Sequence, residues 1–247
     1  MSKSYYLYGK EKTFGETKSF IEDYFRINIL NNPKNRYNKT LKYIPSKSYV
    51  LDYGCGWGIL SKMLTDKGCR VDGIDLDKHS IDIAKDIIKE NEFLKFENIP
   101  ITNIPDEKYD YVISTEVIEH THNPGNYLME CNRVLKKNGF LVLSLPNIIN
   151  LRFFAAQLLN FNKKFTNYFR NFEYDKTHHH IQAWDPLTFM RLLASVGFEY
   201  TAHEFIQGMA LPKGKYIHLG IPRIKNLSYI MIFKVQKKKF TMIGPGD

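Results

Sequence analysis

Four residues set the frame for this chain: Asp52, Gly54, Gly56 and Gly58, in the run YVLDYGCGWGILSKML. A short apolar segment ends at Asp52, glycines follow at alternate positions, and a helical pattern then runs to Lys67, with Gly68 as its stop. A strand that enters a helix through a glycine-rich turn opens a βαβ unit, and it lets backbone approach a ligand at the carboxyl edge of a sheet. The dinucleotide fingerprint requires G-x-G-x-x-G, but the third residue after Gly56 is Ile59, so that match fails. A buried carboxylate at Asp52 would repel a pyrophosphate and favour a cationic ligand such as an α-ammonium or a sulfonium. The next strand ends GIDLD and places Asp75 beyond the turn at the spacing, about 20 residues, of an acid that accepts hydrogen bonds from ribose hydroxyls. A ribose-bearing ligand without a diphosphate is the expectation.

The alternation continues downstream. CRVDGIDLD, FLKFENI, YDYVIST and FLVLSLPN read as strands, and KHSIDIAKDIIKEN and PGNYLMECNRVLKKNG read as helices, the second running from Pro124 to a stop at Gly139. DPLTFMRLLASVGFEYTAHEF reads as an Asp-Pro helix start, a Gly stop and a strand, and LSYIMIFKVQKK as a last strand. Such a pattern predicts an α/β, Rossmann-like doubly wound sheet. Residues 1–44 show no β-alternation and carry Phe20, Ile21, Tyr24 and Phe25 at helical spacing, so they are expected to form a helical N-terminal cap on a domain of residues 45–247. Residues 147–178 are too long for a connection and are expected to be an inserted helical cover.

Composition narrows the setting. No apolar run approaches bilayer-spanning length, the start lacks the pattern of a secretory signal, and Cys55, Cys69 and Cys131 are scattered without CxxC spacing, so a cytoplasmic location is expected. The net charge of +9 attracts anionic partners in general, but no long basic block concentrates it. Residues 147–178 mix aromatics with Arg152, Lys163, Lys164 and Arg170. A lid over an acceptor pocket is the expected use; peripheral contact with an anionic membrane and stacking on single-stranded RNA are the alternatives.

The segment ISTEVIEHTHNPGNY puts Glu116, Glu119 and His120 on one turn after a strand. Such a group can hold a metal, move a proton or cap a helix. Its setting resolves part of the choice. VLDYGCGWG, GIDLD, YDYVISTEVIEHTHNP, RVLKKNGFLVLSLPN and LLASVGFE occur in the order of the class I S-adenosylmethionine-dependent methyltransferases, which the chain resembles over about residues 45–236. The resemblance implies a seven-stranded sheet with an antiparallel last strand, and S-adenosylmethionine as cofactor. By position, Asp52, Gly54, Cys55, Gly56 and Gly58 would face its methionine part, Asp75 and Leu76 its ribose side, Ile101 its adenine, and Thr115 the inner wall. The Asp that often contacts adenine after the third strand is absent from ENIPITNIP, so adenine would rely on backbone near Pro100 and Ile101.

Within that superfamily, E-x-x-E-H with a downstream His binds a divalent cation in ubiquinone-pathway O-methyltransferases and small-RNA 3′-terminal 2′-O-methyltransferases; in other members the same turn is metal-free. Here His180 stands four residues before Trp184, the spacing of that ligand in the RNA enzymes. The resemblance therefore implies a metal set of Glu116, Glu119, His120 and His180 for Mg, Mn, Fe or Zn, or a metal-free site with a histidine as general base; Glu116, His120 and His180 are the catalytic candidates. The implied reaction is methylation of a hydroxyl on a small polyhydroxylated acceptor (a sugar, a nucleotide-sugar or a catechol), with RNA 3′-terminal 2′-O-methylation as the alternative. An NAD oxidoreductase and a non-catalytic scaffold are disfavoured by the turn and by the acid–histidine cluster.

Overall fold

The computed structural model describes residues 4–7, 10–26, 29, 32, 34–149, 181–206, 209–210, 216–217 and 228–238. The chain opens on a hairpin of β1 (Ser4–Leu7) and β2 (Lys10–Thr13), paired antiparallel. The helical cap expected over residues 1–44 thus begins with a short hairpin, which no apolar alternation marks in the sequence. Helix α1 (Phe14–Phe25) follows at once, started by a reciprocal capping box in which Thr13 and Glu16 each serve the other's backbone N–H. Helix α2 (Arg36–Leu41) is capped by Asn35.

The central unit then alternates. β3 (Tyr49–Tyr53), α3 (Ile59–Asp66), β4 (Arg70–Ile74), α4 (Lys78–Ile83), β5 (Leu94–Glu97), β6 (Tyr109–Thr115), α5 (Pro124–Val134), β7 (Leu135–Pro146), α6 (Pro186–Ser195) and β8 (Phe198–Ile206) come in order. A small antiparallel pair, β9 (Met209–Ala210) and β10 (Tyr216–Ile217), precedes the closing strand β11 (Ile230–Lys237). The seven-stranded sheet runs β5-β4-β3-β6-β7-β11-β8. Its first five members pair in parallel, and β11 lies antiparallel between β7 and β8, as expected for this fold.

Both faces of the sheet are covered, so its strands alternate between two apolar layers. Leu51, Val112, Leu141, Leu143, Met231 and Phe233 face α5 and α6 through Leu128, Cys131, Phe189 and Leu193. Their neighbours Val50, Ile113, Val142 and Ile232 face the other way, onto Leu60 and Leu64 of α3. Helix α4 continues into one π-type turn, Ala84–Ile88. Among the described residues no helix is long and apolar enough to cross a membrane.

Helix α5 stops five residues before the expected Gly139. The amides of Glu107 and Lys108 bond the carbonyls of Arg133 and Val134, at 3.0 and 2.9 Å, and so terminate the helix from outside. Leu135 is already extended and pairs with Tyr109. Gly139 serves packing instead: a Cβ there would sit 2.9 Å from the Lys136 carbonyl and 3.0 Å from that of Asp110. The expected insertion lies outside the described residues apart from residues 147–149, and His180 lies outside them as well.

Candidate cofactor and acceptor site

The tips of β3, β4 and β6 adjoin at the carboxyl edge of the sheet, where the topology places ligands in doubly wound folds. The turn after β3 is built by backbone. Gly54 and Cys55 donate their N–H groups to the Ile74 carbonyl at 2.8 and 3.1 Å, and Gly58 closes on the Cys55 carbonyl at 3.0 Å. Gly54, Gly56 and Gly58 all have left-handed φ, of 79°, 51° and 75°. Two of them also lack room for a side chain. A Cβ on Gly54 would lie 2.5 Å from Val117 Cγ2, and one on Gly58 would lie 2.4 Å from Phe96 Cζ. Gly56 differs: nothing stands within 4 Å of its missing Cβ, so the crest of the turn faces open space that a ligand can enter.

Asp75 ties the second strand to this turn. Its Oδ2 accepts the Gly56 N–H at 2.9 Å and its Oδ1 the Asp77 N–H at 2.9 Å, which fixes the carboxylate at the tip of β4. Asn98, not anticipated from the sequence, donates its amide to the Asp75 carbonyl at 2.8 Å and joins the tips of β4 and β5. Leu76 projects outward with 71% of its surface exposed, a large apolar residue beside a polar carboxylate. Ile101 is buried on a short turn whose carbonyl is gripped by Arg133 Nη2 at 2.9 Å. Cys55 is buried in the turn.

Asp52 points inward. It is 1% exposed, and its Oδ2 accepts the Ser61 hydroxyl at 2.6 Å. Burial pushes its carboxyl up to about 7, against the Ser61 hydrogen bond and with help from the negative charge of Asp75.

The acidic segment after β6 is not a regular helical turn. Glu116 has φ 56°, left-handed for a non-glycine residue, and only the Ile118–His120 turn beyond it is helical, of 3₁₀ type. Ser144, its neighbour on β7, holds Glu116 at two points: the Ser144 carbonyl accepts the Glu116 N–H at 2.9 Å, and the Ser144 hydroxyl donates to Oε1 at 2.8 Å. Burial raises the Glu116 carboxyl, while Arg36 and Ser144 oppose the rise. Glu119 is 1% exposed and pushed up to about 8, chiefly by burial and then by the charge of Glu116. His120 is exposed on the rim, and Thr115 is half-buried at the strand end. The backbone carbonyl of Glu119 accepts the amides of Ile181 and Gln182 at 2.9 and 3.0 Å, so residues 181–182 pair with the main chain of this turn. Among the described residues no group of three or more His, Cys, Asp or Glu could hold a metal ion.

The N-terminal cap supplies what the sequence did not reveal. Arg36, from α2, bonds the Tyr37 hydroxyl through Nη2 at 3.1 Å, and its buried Nε has no hydrogen-bond partner among the described residues. Burial works against its charge, but Tyr37, Glu116 and Tyr24 outweigh that, so the guanidinium stays above its ordinary range. Trp57, within the glycine-rich turn, is met edge-on by Phe20 and Tyr24 of α1, at ring distances of 6.0 and 6.4 Å. A basic residue in a polar run such as NPKNRYNKT carries no signal of its own; only the fold brings it to the acids.

Comparison with known proteins places these features. A family profile described as a methyltransferase domain matches residues 25–203. The ubiquinone biosynthesis O-methyltransferase of Pelagibacter ubique is 32% identical over 127 residues, covering 50% of this chain and 51% of that protein. The chain spans about half the length of the curated relatives it matches. Among solved structures, the putative methyltransferase of Haloferax volcanii, in complex with the Trm112 methyltransferase activator, superposes with a TM-score of 0.64 at 15% identity, over 91% of this chain and 98% of that one. The 1,6-didemethyltoxoflavin-N1-methyltransferase of Burkholderia thailandensis, with bound S-adenosylhomocysteine, gives 0.55 at 14% identity, over 90% and 87%.

Proposed function

The chain belongs to the class I S-adenosylmethionine-dependent methyltransferases, and from that premise we propose that it moves the cofactor's methyl group onto a hydroxyl oxygen of a small polyhydroxylated acceptor: a sugar, a nucleotide-sugar or a catechol. The observation that carries the reading is the pairing of two features on one sheet edge. A ribose-type acid, Asp75, is fixed to an open glycine turn, and on the same sheet edge, after β6, burial raises two carboxylates, Glu116 and Glu119, above their ordinary range. The first feature suits an adenosine bearing a cationic sulfur; the second suits removal of a hydroxyl proton.

In this reading the turn's backbone and Asp52 receive the methionine end, and Asp75 takes the ribose hydroxyls. Cys55, Leu76, Ile101 and Thr115 line the rest of the cofactor crevice. Arg36, whose Nε has no acceptor among the described residues, offers its guanidinium to the cofactor's carboxylate. The acceptor oxygen's lone pair attacks the methyl carbon, the carbon–sulfur bond breaks, and its electron pair returns to sulfur, which becomes a neutral thioether. The acceptor proton passes to Glu116, held in place by Ser144 and countered by Arg36, and His120 on the rim hands it to water. Charge is lost from sulfur in the transition state, so proximity and exclusion of water supply much of the rate.

Glu116 and Glu119, within electrostatic reach of each other, would also suit a divalent cation with His180, and His120, exposed and not grouped with them, would join the set only by turning inward. Such an ion, when bound, would polarise the acceptor hydroxyl. Elemental analysis of protein purified without chelator, with calorimetric titration of Mn²⁺, tests that set; no metal and no binding heat would remove it.

The main test is a screen with methyl-labelled S-adenosylmethionine against sugar nucleotides, catechols and short RNAs. Transfer to a diol-bearing small molecule, lost in Glu116→Gln, is the expected result. Transfer to RNA alone, or to a nitrogen, would overturn the acceptor class.

A further inference from the structure

The glycine turn follows β3, Asp75 follows β4 and Asn98 follows β5, and these strands are neighbours in the sheet, in that order. A nucleoside whose methionine end lies at the turn and whose ribose hydroxyls lie on Asp75 has one direction left for its base. The base leaves the sugar at C1′, on the side of the ring away from the 5′ carbon, and so extends past β4 towards the tip of β5.

Most hydrogen-bond acceptors at that tip are already engaged. The Glu97 carbonyl takes the Asp75 N–H at 3.3 Å, and the Pro100 carbonyl takes the Asn103 N–H at 3.1 Å. The Ile101 carbonyl takes the Ile104 N–H at 3.0 Å and Arg133 Nη2 at 2.9 Å. The backbone near Pro100 and Ile101, expected to serve adenine, is thus poor in acceptors for an exocyclic amine. Asn98 differs. Its Nδ2 donates to the Asp75 carbonyl at 2.8 Å, and because a carbonyl can only accept, this contact decides which end of the amide is nitrogen. The bond adds a rung to the β4–β5 ladder beyond the Asp75–Glu97 contact and pins the amide. The ladder accounts for the nitrogen but not for the oxygen. Asn98 is exposed, and its Oδ1 takes no hydrogen bond from the described residues.

We propose that Asn98 selects the cofactor's base: its Oδ1 accepts a hydrogen bond from the 6-amino group of adenine. The 6-oxo group of hypoxanthine in the same place would set two acceptors face to face and leave both without a donor, which is the arrangement that a polar site rejects most strongly. The inference rests on the reading of the crevice as an S-adenosylmethionine site with Asp75 on the ribose, and it adds which base that site prefers and through which atom.

The test is calorimetric titration with S-adenosylhomocysteine and S-inosylhomocysteine, with no methyl acceptor needed. The wild type should bind the adenosine compound more tightly by about tenfold or more. Asn98→Ala should reduce that preference to about twofold or less. Any loss from the broken rung falls on both compounds alike, so the ratio of the two Kd values separates base reading from anchoring of the strands. Asn98→Asp keeps an acceptor but cannot donate to the Asp75 carbonyl, and should keep the preference. A wild type indifferent to the base, an Asn98→Ala variant with the wild-type ratio, or an Asn98→Asp variant as unselective as Asn98→Ala would each overturn the proposal. A wild-type chain that binds neither compound would instead remove the cofactor reading itself, and the role of Asn98 with it.

Discussion

Asp52 illustrates how a buried carboxyl weakens the fold that holds it. Its carboxyl titrates near neutral pH instead of at the ordinary 3.8, with burial as the main cause; Ser61 opposes the shift and Asp75 reinforces it. Tyr37 and Cys55 also lie within electrostatic reach of it. The folded chain therefore keeps a proton at Asp52 that the unfolded chain releases between pH 3.8 and about 7. In that window the folded state binds more protons, so stability falls as pH rises. An asparagine in its place cannot ionise, and the amide oxygen can still accept from Ser61. Relative to the wild type, Asp52→Asn should gain roughly 3–8 °C in Tm between pH 5 and pH 8. Calorimetric scans of the two proteins at both pH values check this; an equal difference at both would mean that Asp52 ionises normally. The location of Asp52 and Asp75 was legible in the sequence because each follows a strand at a fixed distance from the turn. The burial of Asp52 was expected too, but its partner was not, since that depends on Ser61 and Gly73 meeting from different elements.

At the scale of elements, what the sequence conveys is what is local. The Asp185 cap and Pro186 start of α6, the left-handed glycines and the apolar pattern of β6 each depend on neighbours within a few residues. The hairpin β1–β2 and the early end of α5 do not: one lacks a patterned face, and the other is ended by amides from a distant loop. Arg36 and Trp57 belong to the same class. The contact of α1 with the glycine-rich turn is made by rings, Phe20 and Tyr24 against Trp57, and cannot be read from either segment alone. It predicts a coupling between cap and turn. In a Trp184→Phe background, which leaves Trp57 as the single tryptophan, Phe20→Ala should red-shift the emission of Trp57 and weaken S-adenosylhomocysteine binding several-fold. The rim-like aromatic contact is worth about 0.5–1.5 kcal/mol beyond its burial, so global unfolding should change little. An unchanged emission maximum would show that α1 does not rest on the turn in solution.

At the scale of the whole molecule, the sheet edge and the N-terminal cap meet at Trp57 and at Glu116. The sheet supplies Asp52, Asp75, Glu116 and Ser144; the cap supplies Arg36 and the rings over Trp57, and an ion pair between Lys39 of α2 and Glu204 of β8 fastens the cap at a second point. A ligand held between two such bodies binds the closed fold and not the open one, so it must stabilise both together. S-adenosylhomocysteine at a hundredfold excess over Kd contributes about 2.7 kcal/mol, which for a chain of this size is a rise of roughly 5–10 °C in Tm. The same shift should appear in the far-ultraviolet dichroism, which follows the sheet and helices, and in the Trp57 emission of the single-tryptophan protein, which follows cap and turn. Asp75→Ala should abolish it in both signals, because the carboxylate that anchors Gly56 is then missing from the crevice. Were the dichroism to shift while the Trp57 transition stayed at its ligand-free temperature, the cofactor would be held by the sheet alone, and the cap would have no part in closing the site.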